Sequence, residues 1–191
     1  VTTNANGGGG LYIFEGQATL NGGQIISNSA GFGAGVLVGL SGSIFTQMND
    51  STIAYNQSTW DGGGIYVEAG RADLVDGQIL SNMGRHGGGV YMEDMKASLL
   101  QSGDHKIGYN TVTNNGAGIY IENGQLTLSG GRILSNTANN HGGGIYIDNN
   151  AIVFTQTESS QIAYNKALNR GGAMYLDGGM ANLNGAQIVH N

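Results

Sequence analysis

The sequence predicts an all-β chain wound as a right-handed parallel β-helix of seven coils, and three observations carry that reading. An apolar triplet, in all but one case centred on tyrosine, follows a Gly-rich step seven times. An Ile-x-x-Asn motif trails every triplet in the same phase, and 36 of the 191 residues are Gly while Pro is absent. Recurrence at a fixed period marks a solenoid, whose units bury their apolar faces only by stacking on one another.

The first element of each coil is the triplet: Leu11-Tyr12-Ile13, Val36-Leu37-Val38, Ile65-Tyr66-Val67, Val90-Tyr91-Met92, Ile119-Tyr120-Ile121, Ile145-Tyr146-Ile147 and Met174-Tyr175-Leu176. Counted between first residues, these stand 25, 29, 25, 29, 26 and 29 apart, so short and long coils alternate. Coils of 25 to 29 residues are far longer than those built from hexapeptide repeats, which selects the right-handed winding. Strand alternation points the outer residues of each triplet inward and the middle tyrosine outward. The glycine before the triplet is expected to supply the positive φ of a sharp corner.

The second element is a strand whose inward column is predicted eight residues beyond the triplet centre, at Leu20, Phe45, Leu74, Leu99, Leu128, Phe154 and Leu183. A third strand carries Ile25, Ile53, Ile79, Ile107, Ile133, Ile162 and Ile188. Three residues after each comes an asparagine, Asn28, Asn56, Asn82, Asn110, Asn136, Asn165 and Asn191, which tolerates a left-handed bend and forms a structural amide ladder from coil to coil. Nothing helical lies between, so each coil holds about three short strands. Long coils are expected to carry three extra residues between the second and third columns, bulging at Gln47–Thr52, Gln101–Lys106 and Gln156–Gln161. Residues 1–191 read as a single β-helix domain without a separate cap. The unpaired groups of its end rungs would be covered by copies joined end to end or by the rest of a longer chain.

Composition narrows the chemistry. Absence of Cys excludes disulfides, thiolate metal sites and a cysteine nucleophile. Seven Lys and Arg against thirteen Asp and Glu oppose nucleic-acid binding, and no apolar run is long enough for a membrane-spanning helix. The glycine runs Gly7–Gly10 and Gly31–Gly35 precede no helix that could receive a phosphate. The outward residues Thr19, Ile44, Asp73, Ser98, Thr127, Val153 and Asn182 form no threonine array of the ice-binding kind.

Two sets of residues invite a functional reading. Two positions after the tyrosines stand Glu68, Glu93, Glu122, Asp148 and Asp177, which with Tyr66, Tyr91, Tyr120, Tyr146 and Tyr175 define a candidate interaction face. Carboxylates one coil apart repel by about 1 kcal/mol or more, so Arg71 and Lys96, solvent screening or a bound calcium must offset them. The tyrosines are suited either to stacking on surface glycans or to stabilising the sheet. The most irregular positions lie in the turn before the glycine step: Trp60, Asp61, Arg85, His86, His141 and Arg170. An Asp61–Arg85 ion pair accounts for the first of them, and His86 or His141 with Asp61 is the acid–base alternative. No nucleophile or second acid stands beside them, and five equivalent carboxylates single out no catalytic pair, so no catalytic residue is assigned.

The sequences GGGIY at 62–66 and 142–146 and GGGVY at 87–91, with Ile-x-x-Asn between them, resemble the repeats of chlamydial polymorphic outer-membrane proteins, autotransporter passengers and related bacterial surface proteins. The resemblance covers the whole chain and implies the pectin-lyase-like superfamily, a secreted or cell-surface setting and an adhesive or structural role. Pectin lyases share that fold, but fold alone transfers no activity. The expectation is a non-enzymatic extracellular solenoid without a cofactor, with a polysaccharide-active enzyme or glycan-binding module as the alternative.

Overall fold

The computed structural model describes residues 7–148, 153–157 and 160–191. Four parallel sheets run along a rod, three of seven strands and one of six, and the strand order in each follows the order of the coils. The first sheet contains the triplets, from Leu11–Ile13 to Met174–Leu176; the second runs from Gln17–Asn21 to Met180–Leu183 and the third from Gln24–Ile26 to Gln187–Val189. The fourth, from Ser29–Ala30 to Lys166–Ala167, consists of two-residue strands just after the asparagines, too short to leave a period in the sequence. Parallel pairing spaces equivalent residues ~4.8 Å apart along the rod.

One core fills the interior. Val36, Val38, Ile65, Val67, Ile119 and Ile121 from the triplets meet Ile53, Ile79, Ile107 and Ile133 from the third sheet, all fully buried. The register of the second sheet differs from the expected one. Phe45 pairs with Ala18 and Ala72, and Leu99 with Ala72 and Leu126, whereas Leu20, Leu74 and Leu128 align with Gln47 and Gln101. The extra residues of the long coils explain the shift. Three residues separate Ile13 from Gln17, whereas five separate Val38 from Ile44, so two of the three precede the second strand and only one follows it. A shift of two leaves side chains on the same face, so the alternation of the pattern does not reveal it. On the outer face it aligns Thr19, Thr46, Asp73, Leu100, Thr127, Thr155 and Asn182, a threonine row interrupted in mid-rod by Asp73 and Leu100. In the third long coil, residues 158 and 159 of the expected bulge lie outside the described residues.

The corrected register puts Gln47, Gln101 and Gln156 in the core, fully buried, at every second coil. Each amide donates to the carbonyl four residues on: Gln47 to Ser51 at 2.9 Å, Gln101 to His105 at 2.8 Å and Gln156 to Ser160 at 3.5 Å. The glutamines thus satisfy from inside the turn that the single extra residue creates.

The glycine step divides its work between two positions. Gly62, Gly87, Gly116, Gly142 and Gly171 take the positive φ. The glycine directly before the triplet does not; Gly89 is required because a Cβ there would lie 2.5 Å from the Gly118 carbonyl oxygen and 2.8 Å from Ile107 Cγ2. The asparagine ladder is continuous from Asn28 to Asn191. From Asn56 on, each Oδ1 accepts both the side-chain and main-chain N–H of the asparagine one coil earlier, as Asn136 Oδ1 does from Asn110 Nδ2 and N at 3.0 Å each. From the second coil on, each Nδ2 also reaches an isoleucine carbonyl of the preceding coil, such as Ile79 from Asn110.

Candidate functional site

Strand alternation turns the triplet tyrosines away from the main core, as expected, but they do not form an open face. Tyr66, Tyr91, Tyr120 and Tyr146 are 5–7% exposed, because the glycine-rich turns fold back over them and make a second apolar cluster with Leu37, Phe32 and Tyr175. Their rings stack in register at 5.0, 5.0 and 4.9 Å within 12° of parallel, and Tyr175 continues the stack at 5.4 Å. His86 meets the Tyr120 ring edge-on at 4.7 Å and His141 stacks on Tyr175 at the same distance.

The carboxylate column rims this stack. Tyr91 donates its hydroxyl to Glu122, Tyr120 to Asp148 at 2.6 Å and Tyr146 to Asp177 at 3.1 Å, and Tyr66 stands beside Glu93 in the same arrangement. Three successive hydroxyls thus reach the acid one coil ahead, which offsets part of the repulsion between neighbouring acids. Burial and these carboxylates push the hydroxyls of Tyr66, Tyr91, Tyr120 and Tyr146 above their usual range. Burial, together with Glu68 and Glu122, raises Glu93 against the hydrogen bond from Tyr66. Leu37, the triplet centre without a hydroxyl, leaves Glu68 outside the series. A cleft of about 210 Å³ opens there between Phe32, Leu37, Tyr66, Glu68 and Glu93. Arg71 turns instead to Asp73 at 2.7 Å. Among the described residues no three His, Asp or Glu side chains converge as a metal site would require.

The irregular turn follows a two-coil rhythm. Asp61, 3% exposed, holds Arg85 through both oxygens at 2.9 and 3.2 Å and accepts the main-chain N–H of His86 at 3.1 Å. Two coils on, Asn115 accepts from the main chain of His141 at 3.0 Å. Arg85 also lies over the Trp60 ring at 5.3 Å. The Asp61 carboxylate thus faces the main chain of His86, while the His86 ring packs on tyrosine and meets Asn114 at 3.2 Å. Burial holds His86 below the usual imidazole range. His141 and Arg170 are joined by a parallel bridge of main chain. These contacts bind coil to coil and set up no proton relay between Asp61 and either imidazole.

Tyr120→Ala is expected to cost about 3–5 kcal/mol, the range for emptying a buried aromatic site. Tyr120→Phe should cost about 1 kcal/mol or less, because Asp148 is exposed and regains water. Urea denaturation separates the two variants, and an alanine variant as stable as the parent would return the ladder to the surface.

Sequence reasoning missed His105, which is fully buried in the extra turn of the second long coil, with Nε2 3.1 Å from Gln47 Oε1 two coils below. It also missed Tyr55, Tyr109 and Tyr164, which follow the isoleucine column at the next corner and are exposed. Their signal was present as a Ser/Tyr alternation two residues after the first six isoleucines, with His190 in the seventh coil.

Fold and site together define a parallel β-solenoid held by an asparagine ladder and two stacked apolar columns. Residues 1–152 match the family model of the right handed beta helix region, and the chain belongs to that family. No curated protein and no solved structure is significantly similar to it.

Proposed function

We propose that this chain is a non-enzymatic structural or adhesive element of an extracellular or cell-surface assembly, its end rungs completed by further coils. The observation that carries the reading is the use made of most positions that interrupt the repeat. Asp61, Arg85, His86, Asn115 and His141 are engaged in bonds between coils, and Glu122, Asp148 and Asp177 of the outer column receive tyrosine hydroxyls in series. Hydrolysis of a glycoside needs two carboxyl groups set apart in role, and three of the five acids of the column, Glu122, Asp148 and Asp177, are instead engaged by tyrosine hydroxyls. The repeats that resemble bacterial surface proteins supply the setting.

The further coils come from copies of the chain joined end to end or from the rest of a longer protein. Exposed Leu176, Leu183 and Ile188 continue the core columns into the last coil, where an added coil would cover them. Sedimentation and electron microscopy of the isolated chain test the first source. Rods longer than one chain are the expected result, and monodisperse monomers at all concentrations would remove self-association from the reading.

A further inference from the structure

Around the second triplet the chain departs from its repeat at three positions that lie together. Leu37 stands at the triplet centre, where the coils on either side carry Tyr12 and Tyr66. Phe32 precedes the positive-φ Gly33, a place that Asp61, His86, Asn115, His141 and Arg170 hold in the later coils. Gly39, two residues after Leu37, occupies the position of the outer acids and adds no side chain. Two polar positions have thus become apolar and a third has been emptied, in one coil.

The cleft of about 210 Å³ is what these departures leave. Its walls are apolar. Phe32 and Tyr66 meet there at 63° with centroids 5.2 Å apart, the far face of Tyr66 being stacked on Tyr91, and Leu37 packs beside them. Its rim is acidic. Leu37 has no hydroxyl to offer Glu68, whose carboxylate, among the described residues, accepts no hydrogen bond and forms no ion pair. Glu93 follows on the next coil, ~4.8 Å along the rod. Burial and the charges of Glu68, Glu122 and Asp94 raise it against the neighbouring Tyr66 hydroxyl. Arg71, the nearest basic residue in sequence, is turned away to Asp73. Pockets for drug-sized ligands begin at ~300 Å³, so this space suits one side chain.

We infer that this cleft receives a lysine side chain of a partner protein, with its methylene stem against Phe32, Leu37 and Tyr66 and its ammonium between Glu68 and Glu93. A lysine stem buries along apolar surface while its head stays at a polar rim. The compact ammonium, with three donors, is shared readily by acids on successive coils, whereas a guanidinium fork matches the two oxygens of a single carboxylate. The net charge of −6 draws a basic partner toward the rod. The inference names a partner chemistry for the adhesive part of the proposed function and rests on it, but it does not depend on association between copies.

The test is saturation-transfer NMR of the full chain with Nα-acetyl-lysine N-methylamide, its uncharged norleucine counterpart and its arginine counterpart as probes. The lysine probe should give a saturable signal in the millimolar range, centred on its stem methylenes, and should bind about tenfold or more tighter than the norleucine probe. The arginine probe should bind more weakly than lysine. Glu68→Gln should weaken the lysine probe by about tenfold or more. Leu37→Tyr introduces the residue of the neighbouring coils, fills the cleft and gives Glu68 a hydroxyl, so it should abolish the signal. Circular dichroism reports whether Leu37→Tyr keeps its fold, and Glu68→Gln, at a half-buried surface position, carries the comparison if it does not. No saturable signal from the parent, equal binding of the lysine and norleucine probes, or parent-like binding by Glu68→Gln overturns the inference, and arginine binding as tightly as lysine overturns the choice of side chain. The probes are read on the isolated chain, so their failure removes the cleft while the structural role, which sedimentation and microscopy address, stands apart.

Discussion

Asn110→Ala is expected to be among the most destabilising single substitutions in the rod, at about 3–5 kcal/mol. The side chain is fully buried and is both acceptor and donor. Its Oδ1 receives Asn82 N at 2.9 Å and Asn82 Nδ2 at 3.1 Å, while its own Nδ2 donates to the Ile79 carbonyl at 3.1 Å and to Asn136 Oδ1 at 3.0 Å. Alanine leaves two donors of Asn82 unpaired in a dry interior, at about 1–3 kcal/mol for each group that finds no substitute, and removes the side-chain bond to the Ile79 carbonyl. Asn191→Ala, at the exposed end of the ladder, should cost far less because water replaces the amide. Urea unfolding of the two variants checks the contrast. Equal midpoints would show that the ladder is not cooperative with the core.

The second large effect is a loss of stability in mild acid caused by His105. Burial alone lowers its pKa from 6.5 to about 3. Nε2 is bonded to Gln47, and among the described residues Nδ1 has no partner and no acid forms an ion pair with the ring. The unfolded chain therefore takes up a proton near pH 6.5 while the folded chain resists until about pH 3. The stability associated with the neutral ring is complete above pH 6.5 and falls as pH drops, by about 1.4 kcal/mol per unit, on the order of 5 kcal/mol across the window. His86, also lowered by burial, acts in the same sense. The other long coils carry Ser51 and Ser160 at the equivalent place, so His105→Ser suits the turn. That variant should be less stable than the parent at pH 7.5, by about 2–3 kcal/mol for the emptied site, but should lose less stability toward pH 4. Denaturant midpoints at several pH values measure the difference, and parallel pH profiles for the two proteins would contradict the assignment.

The same residue shows where a linear reading stops. Ile53, Ile79, Ile107 and Asn56, Asn82, Asn110 stand in their predicted columns because each follows the last at a separation the repeat reveals directly. The second sheet was misaligned because two residues enter one corner and one enters the next. A displacement of two preserves the inward face, so Leu20, Phe45 and Leu74 looked equivalent when Gln47 is the true neighbour of Leu20 and Leu74. Burial of Gln47 and the reach of His105 to it follow from that register alone.

Seven coils, parallel winding, the isoleucine and asparagine columns and the alternation of long and short coils were determined by sequence period, since identical units can satisfy their edges only by stacking in phase. Whether a column facing away from the core is wet was decided by tertiary structure. The triplet tyrosines and the corner tyrosines are the same residue type, yet turns carrying Gly87 and Gly116 close over Tyr91 and Tyr120, whereas Tyr55, Tyr109 and Tyr164 are left exposed among the described residues. Strand alternation sets which way a side chain points, but its exposure depends on segments that only the folded coils bring beside it.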